Sequence, residues 1–158
     1  MIVIICILVI ALTISVYVNR KNRIRHSTKM SFKESLDLTD LPIVTFTIGD
    51  KKCNFLLDTG ASESVINESC LKTYPYMTVN GSGTLTGLDG IKRKTNYVRM
   101  DLTYKGKDYS EIFTVTDMDK VFNTIKTETG VTLNGILGNS FMQTYRYIID
   151  FKELAAYR

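Results

Sequence analysis

Asp58 stands at the end of an apolar run, in the stretch FLLDTGASESVIN that spans residues 55–67. An unpaired charge is costly to bury, so this carboxylate sits either at an exposed turn or in a site that uses it. Gly60, two residues on, can take backbone conformations barred to other residues and lets the chain reverse tightly while Asp58 projects from it. Thr59 places a hydroxyl beside the acid, able to hydrogen-bond locally or across a symmetry axis. A single carboxyl of ordinary pKa is a poor general acid near neutrality. Two carboxyls about 3 Å apart share one proton, and such a pair can hold a water as base and acid at once.

Other chemistries lack their parts. The single histidine, His26, lies in a basic segment near the N-terminus, so a Ser-His-Asp or Cys-His arrangement has no base in the remainder of the chain. Zinc sites built on histidine or clustered cysteine fail for the same reason. GSGTLTG, residues 81–87, has neither the Lys-Ser/Thr of a phosphate-binding loop nor G-x-G-x-x-G spacing, and reads as a flexible hairpin. Cys6, Cys53 and Cys70 are odd in number and match no disulfide or metal framework. The last two read as small core residues. No metal or organic cofactor is implied.

The elements that must position Asp58 read as short strands. In IVTFTIG, residues 43–49, Val44, Phe46 and Ile48 alternate with Thr45 and Thr47, and the turn Gly49-Asp50-Lys51 leads back into CNFLLD. NYVRMDLTY, residues 96–104, puts Val98, Met100, Leu102 and Tyr104 on one face, and a turn at Lys105-Gly106-Lys107 feeds the strand DYSEIFTVT. Met118, Val121, Phe122 and Ile125 fall at helical spacing, predicting a helix packed on the domain. Many close strands and little helix predict a small closed or sandwich-like β domain. No internal repeat or low-complexity segment is present.

Residues 2–18, IVIICILVIALTISVYV, form an uncharged run near the lower limit of about 17 residues for crossing a bilayer. We expect residues 1–18 to be a transmembrane anchor rather than a cleaved signal peptide, because basic residues follow the run and do not precede it. Residues 19–40 then form a basic juxtamembrane segment and linker, or short docking segment, and residues 41–158 the folded domain. Arg20, Lys21, Arg23, Arg25 and Lys29 predict a single-pass membrane protein with a cytoplasmic domain. Without those five charges the formal +4 becomes −1, so the folded domain lacks the basic character of a nucleic-acid binder. The basic segment suits anionic lipid head groups instead.

FLLDTGASESVI resembles the catalytic loop of the retroviral-type (retropepsin-like) aspartic proteases, in which an apolar strand enters D-T/S-G-A/S. Downstream, NGILGNSFMQTYRYIIDF, residues 134–151, resembles that family's apolar-apolar-Gly segment with its short helix and closing strand. TLTGLDGIK, residues 84–92, occupies the place of the family's glycine-bearing flap. The resemblance covers residues 41–157, and implies a mostly β, closed-barrel domain with short helices. It implies Asp58 as the catalytic aspartate, supported by Thr59, Gly60, Ala61 and Ser62. It places Gly87, Leu88, Asp89 and Gly90 at a flap tip that closes over a peptide. Ile136, Leu137 and Gly138 become a structural strand crossing behind the loop. Ala61 stands where pepsin-like relatives often carry a serine.

One D-T-G per chain cannot make a dyad, and no second D-T-G or D-S-G occurs. The resemblance therefore implies a homodimer with a twofold axis through the site, its dimer sheet drawn from the closing strands YRYIIDF and LAAYR. The expected activity is that of a membrane-anchored aspartic endopeptidase acting on a protein or peptide. The alternative is a membrane-tethered module of the same fold that binds peptides by strand addition without cutting them.

Overall fold

The computed structural model describes residues 31–86 and 92–158. A helix α1 (Phe32–Thr39) precedes strands β1 (Ile43–Ile48), β2 (Lys51–Leu57) and β3 (Ser64–Asn67) and a 3-10 turn, Glu68–Lys72. Then come β4 (Met77–Thr86), β5 (Lys92–Tyr104), β6 (Lys107–Thr116), α2 (Asp119–Thr129), β7 (Gly135–Leu137), α3 (Asn139–Tyr145), β8 (Ile148–Asp150) and β9 (Ala155–Tyr157). The mostly β closed barrel with short helices expected from the sequence is the architecture observed.

Six strands close the ring in the order β1-β2-β7-β3-β6-β5, and β5 returns to β1 through the pairing of Thr47 with Thr103. Closure removes the exposed edges that an open sheet of this length would present. β4 stands outside the ring, and among the described residues it pairs only with β5. The alternation read from the sequence is the inward face: Val44, Phe46 and Ile48 on β1, and Val98, Met100, Leu102 and Tyr104 on β5, are all buried. Phe46 sits at the centre, with ring centroids of Phe55 at 5.9 Å, Tyr104 at 5.1 Å, Tyr109 at 5.7 Å and Phe141 at 5.8 Å. Burying an aromatic ring contributes about 1.5–3 kcal/mol, so this cluster is a main source of barrel stability.

Two segments differ from the sequence reading. Residues 32–39, expected as a polar linker or docking segment, form α1 with a capping box. Glu34 N–H donates to Ser31 Oγ at 3.2 Å and Ser31 N–H to Glu34 Oε2 at 2.9 Å, satisfying two helix-end donors. Phe32 is buried in the barrel core and meets Phe151 edge-on at 5.8 Å. Ser35 Oγ accepts the N–H of Ile43, so α1 is bonded to the first barrel strand. Residues 81–86, expected as a flexible hairpin, continue β4 beyond a bulge between Val79 and Ser82, where Gly81 takes a φ of +131°. The hairpin arms pair as far as Thr86 with Lys92. The predicted flap tip, Gly87 to Gly90, lies outside the described residues, as do the predicted membrane span and basic segment. Among the described residues no helix is long and apolar enough to cross a membrane.

Candidate active site

Asp58 emerges where three strands meet. β7 lies between β2 and β3, parallel to the first (Leu57 with Leu137) and antiparallel to the second (Val65 with Ile136). Residues 58–63 therefore link two strands that flank a third, and must arch over its end. The Asp58 N–H extends the β2–β7 ladder by donating to the Leu137 carbonyl oxygen at 3.0 Å. Beyond it the chain turns. Ala61 N–H donates to the Asp58 carbonyl at 3.2 Å, and Gly60 N–H to Asp58 Oδ1 at 2.8 Å. The second bond fixes the carboxyl with a short-range backbone donor, the Asx-turn chemistry that the D-T-G order supplies. Asp58 is half-buried, while Thr59 and Gly60 are exposed.

The arch is held from beneath by the chain that leaves β7. Asn139 N–H donates to the Ala61 carbonyl at 2.8 Å and Ser140 N–H to the Ser62 carbonyl at 3.1 Å. The Asn139 side chain donates to the Thr59 carbonyl at 2.7 Å. These backbone donors belong to the first turn of α3, which has no intrahelical acceptor for them, so the loop carbonyls complete the helix end. Gly138 makes the close approach possible. A Cβ there would lie 2.5 Å from the Glu63 carbonyl oxygen and 2.8 Å from that of Ala61, both backbone atoms that cannot swing aside.

Asp58, Thr59, Gly60, Ala61 and Ser62 are thus gathered with Ile136, Leu137 and Gly138 into one unit. Gly87, Leu88, Asp89 and Gly90 fall outside the described residues, although the arms leading to them are regular. Sequence reasoning missed the polar layer behind this unit. Glu111 Oε1, buried, accepts the Ser64 hydroxyl at 2.7 Å and the Ser140 hydroxyl at 3.2 Å, and Ser64 Oγ accepts the Gly138 N–H at 3.2 Å. Burial pushes the Glu111 carboxyl above its usual value, opposed by those two hydroxyls. A signal was present: Glu111 takes a core-facing position between Tyr109 and Phe113 in the alternation of β6.

Cys53 and Cys70 are buried, free thiols. Burial raises both above the ordinary thiol value, Cys53 further by the nearby Cys70, so neither has the thiolate character of a nucleophile. Among the described residues no group of His, Cys, Asp and Glu side chains could hold a metal ion.

Comparison with known proteins places this geometry. No curated protein sequence matches. Among solved structures, the EIAV protease complexed with the inhibitor HBY-793 superposes with a TM-score of 0.51 at 22% identity, over 67% of this chain and 88% of that one. At that identity the likeness shows the fold, and the fold is that of a retroviral protease. The family model described as aspartyl protease matches residues 44–141, which include the Asp58 loop, β7 and the start of α3. With more than half its length so matched, the chain belongs to the aspartyl protease family.

Proposed function

We propose that the protein is an aspartic endopeptidase whose reacting group is the Asp58 carboxyl, paired with the same residue of a second copy. The observation that carries this reading is the fixed arch. A half-buried carboxyl is oriented by Gly60 N–H, and its loop is bonded to β7 and α3 through the Asp58 N–H and the Thr59, Ala61 and Ser62 carbonyls. Such pre-organisation is what a general acid–base group needs and a punctuating turn does not. One Asp58 would take a proton from the water as it attacks the peptide carbonyl, and its mate would donate one to the carbonyl oxygen. Exposed Thr59, next to the acid, is available to a partner chain.

The dimer reading draws support from the C-terminal hairpin. β8 and β9 pair only with each other among the described residues, leaving both outer edges free. Ile148, Phe151 and Tyr157 there are exposed apolar side chains. Edges and patches of this kind suit pairing with a second copy. We further propose a membrane anchor at residues 2–18 with the domain on the cytoplasmic side, supported by the uncharged run and the five basic residues after it.

Incubating the full chain in detergent micelles with a diverse peptide library, beside Asp58→Asn, tests the reading. Cleavage lost in the folded variant supports it. Peptide binding without cleavage by either protein would establish the non-catalytic binding module instead.

A further inference from the structure

Glu111 occupies a place that the pattern of its strand assigns to an apolar side chain. β6 turns Tyr109, Glu111 and Phe113 toward the barrel interior, and Glu111 is 6% exposed. Across the ladder it faces Met100, which is fully buried. Among the residues whose side chains the structure describes, no other Asp, Glu, Lys or Arg is buried. A neutral side chain here would avoid the desolvation that a carboxylate suffers, so stability does not account for the acid.

Its bonds all lead to the arch. The Ser64 hydroxyl has one proton; given to Glu111, it leaves the oxygen free to accept the Gly138 N–H. The Ser140 hydroxyl gives its proton to the same carboxylate oxygen, while the Ser140 N–H holds the Ser62 carbonyl. Gly138 follows Leu137, whose carbonyl receives the Asp58 N–H. One carboxylate thus sets the polarity of a chain of bonds joining β3, β6, the end of β7 and α3.

We propose that Glu111 is a positioning residue for Asp58, acting through Ser64, Ser140 and the Gly138 amide to hold the backbone that aims the Asp58 carboxyl. This rests on the reading of Asp58 as the reacting group. A cavity of about 390 Å³ borders Glu111 and gives protons a route to it. Glu63, from the loop before β3, and Tyr97, from β5, line the same cavity, as do uncharged Ser140 and Thr144 of α3. Glu63 accepts a bond from Thr114. Arg99 and Asp101, which flank Met100 on β5, are exposed. Protonating Glu111 replaces a carboxylate acceptor by a neutral one, which loosens the hold on Ser64.

Amide spectra of the full chain in micelles, titrated with pH, provide the test, with kcat and KM measured alongside. In the wild type and in Glu63→Gln, the Gly138 amide resonance should move with a midpoint above the ordinary glutamate value of 4.5, and in Glu111→Gln that step should vanish. Glu111→Leu should lose kcat on the order of a hundredfold with KM little changed, and Glu111→Gln should recover most of it, because the amide oxygen still accepts both hydroxyls. A Gly138 titration unaltered by Glu111→Gln, or full kcat per folded molecule in Glu111→Leu, would overturn the proposal. Should the wild type cleave nothing, the endopeptidase reading falls, and the Gly138 titration alone still decides whether Glu111 holds the arch.

Discussion

The backbone N–H of Asp58 donates to the carbonyl oxygen of Leu137 across 79 positions of sequence, at 3.0 Å. That bond is the last rung of the parallel β2–β7 ladder, and the turn that follows it decides where the carboxyl points. The site is therefore as precise as the fit of β7 beneath the arch.

Gly138 is where that fit is tightest. Its φ of −93° suits any residue, so the obstacle to a side chain is contact with the Glu63 and Ala61 carbonyls rather than backbone strain. Gly138→Ala should lower stability by about 1–3 kcal/mol. It should reduce peptidase activity by more than the loss of folded protein explains, a comparison made by denaturant unfolding and kcat on the same preparations.

Glu111 predicts a dependence of stability on pH. Its folded pKa lies above the unfolded value, so the stability linked to its neutral form is complete below the unfolded pKa and is lost as pH rises through the folded one. Relative to Glu111→Gln, the wild type should weaken over the pH range that begins at the ordinary glutamate value and extends upward. Urea midpoints measured across that range should diverge; parallel curves would contradict a raised Glu111.

These two positions also mark how much was legible beforehand. Alternation in β1, β5 and β6 reports a half-buried strand within a few residues, and D-T-G carries its own turn chemistry, so the barrel strands and the Asp58 loop could be read locally. The Glu111 bonds to Ser64 and Ser140 span 47 and 29 residues, and no local pattern encodes them. For α1 the signal existed, Ser31 followed three residues later by Glu34 and Phe32 spaced with Leu36, but its polar composition masked it. Gly81 and Gly83 suggested a flexible hairpin, whereas a bulged strand outside the ring accommodates them.

The proposed dimer rests on counting one D-T-G per chain. Mixing wild type with excess Asp58→Asn should poison activity by forming half-armed dimers, and dilution should lower specific activity faster than linearly. Charged substitutions at Ile148 and Phe151, respectively 47% and 60% exposed, should weaken both effects while leaving the barrel folded. Full activity from a species that sediments as a monomer would refute the shared dyad and direct attention to Asp89 and Asp150.

Topology is best read at the C-terminus. Cys53 and Cys70 are buried and cannot report sidedness by thiol labelling. A reporter fused after Arg158 should be active only when it requires the cytoplasm. Activity of an exclusively extracytoplasmic reporter would reverse the proposed orientation.

The most direct measurement is peptide hydrolysis by the full chain and by Asp58→Asn, each shown to be folded by the same amide spectrum. An asparagine can still accept the Gly60 N–H, so the arch should survive, but it can neither take nor share the proton of the attacking water. The catalytic role of Asp58 predicts cleavage by the wild type and a loss on the order of a thousandfold or more in the variant. Undiminished hydrolysis by folded Asp58→Asn would contradict it.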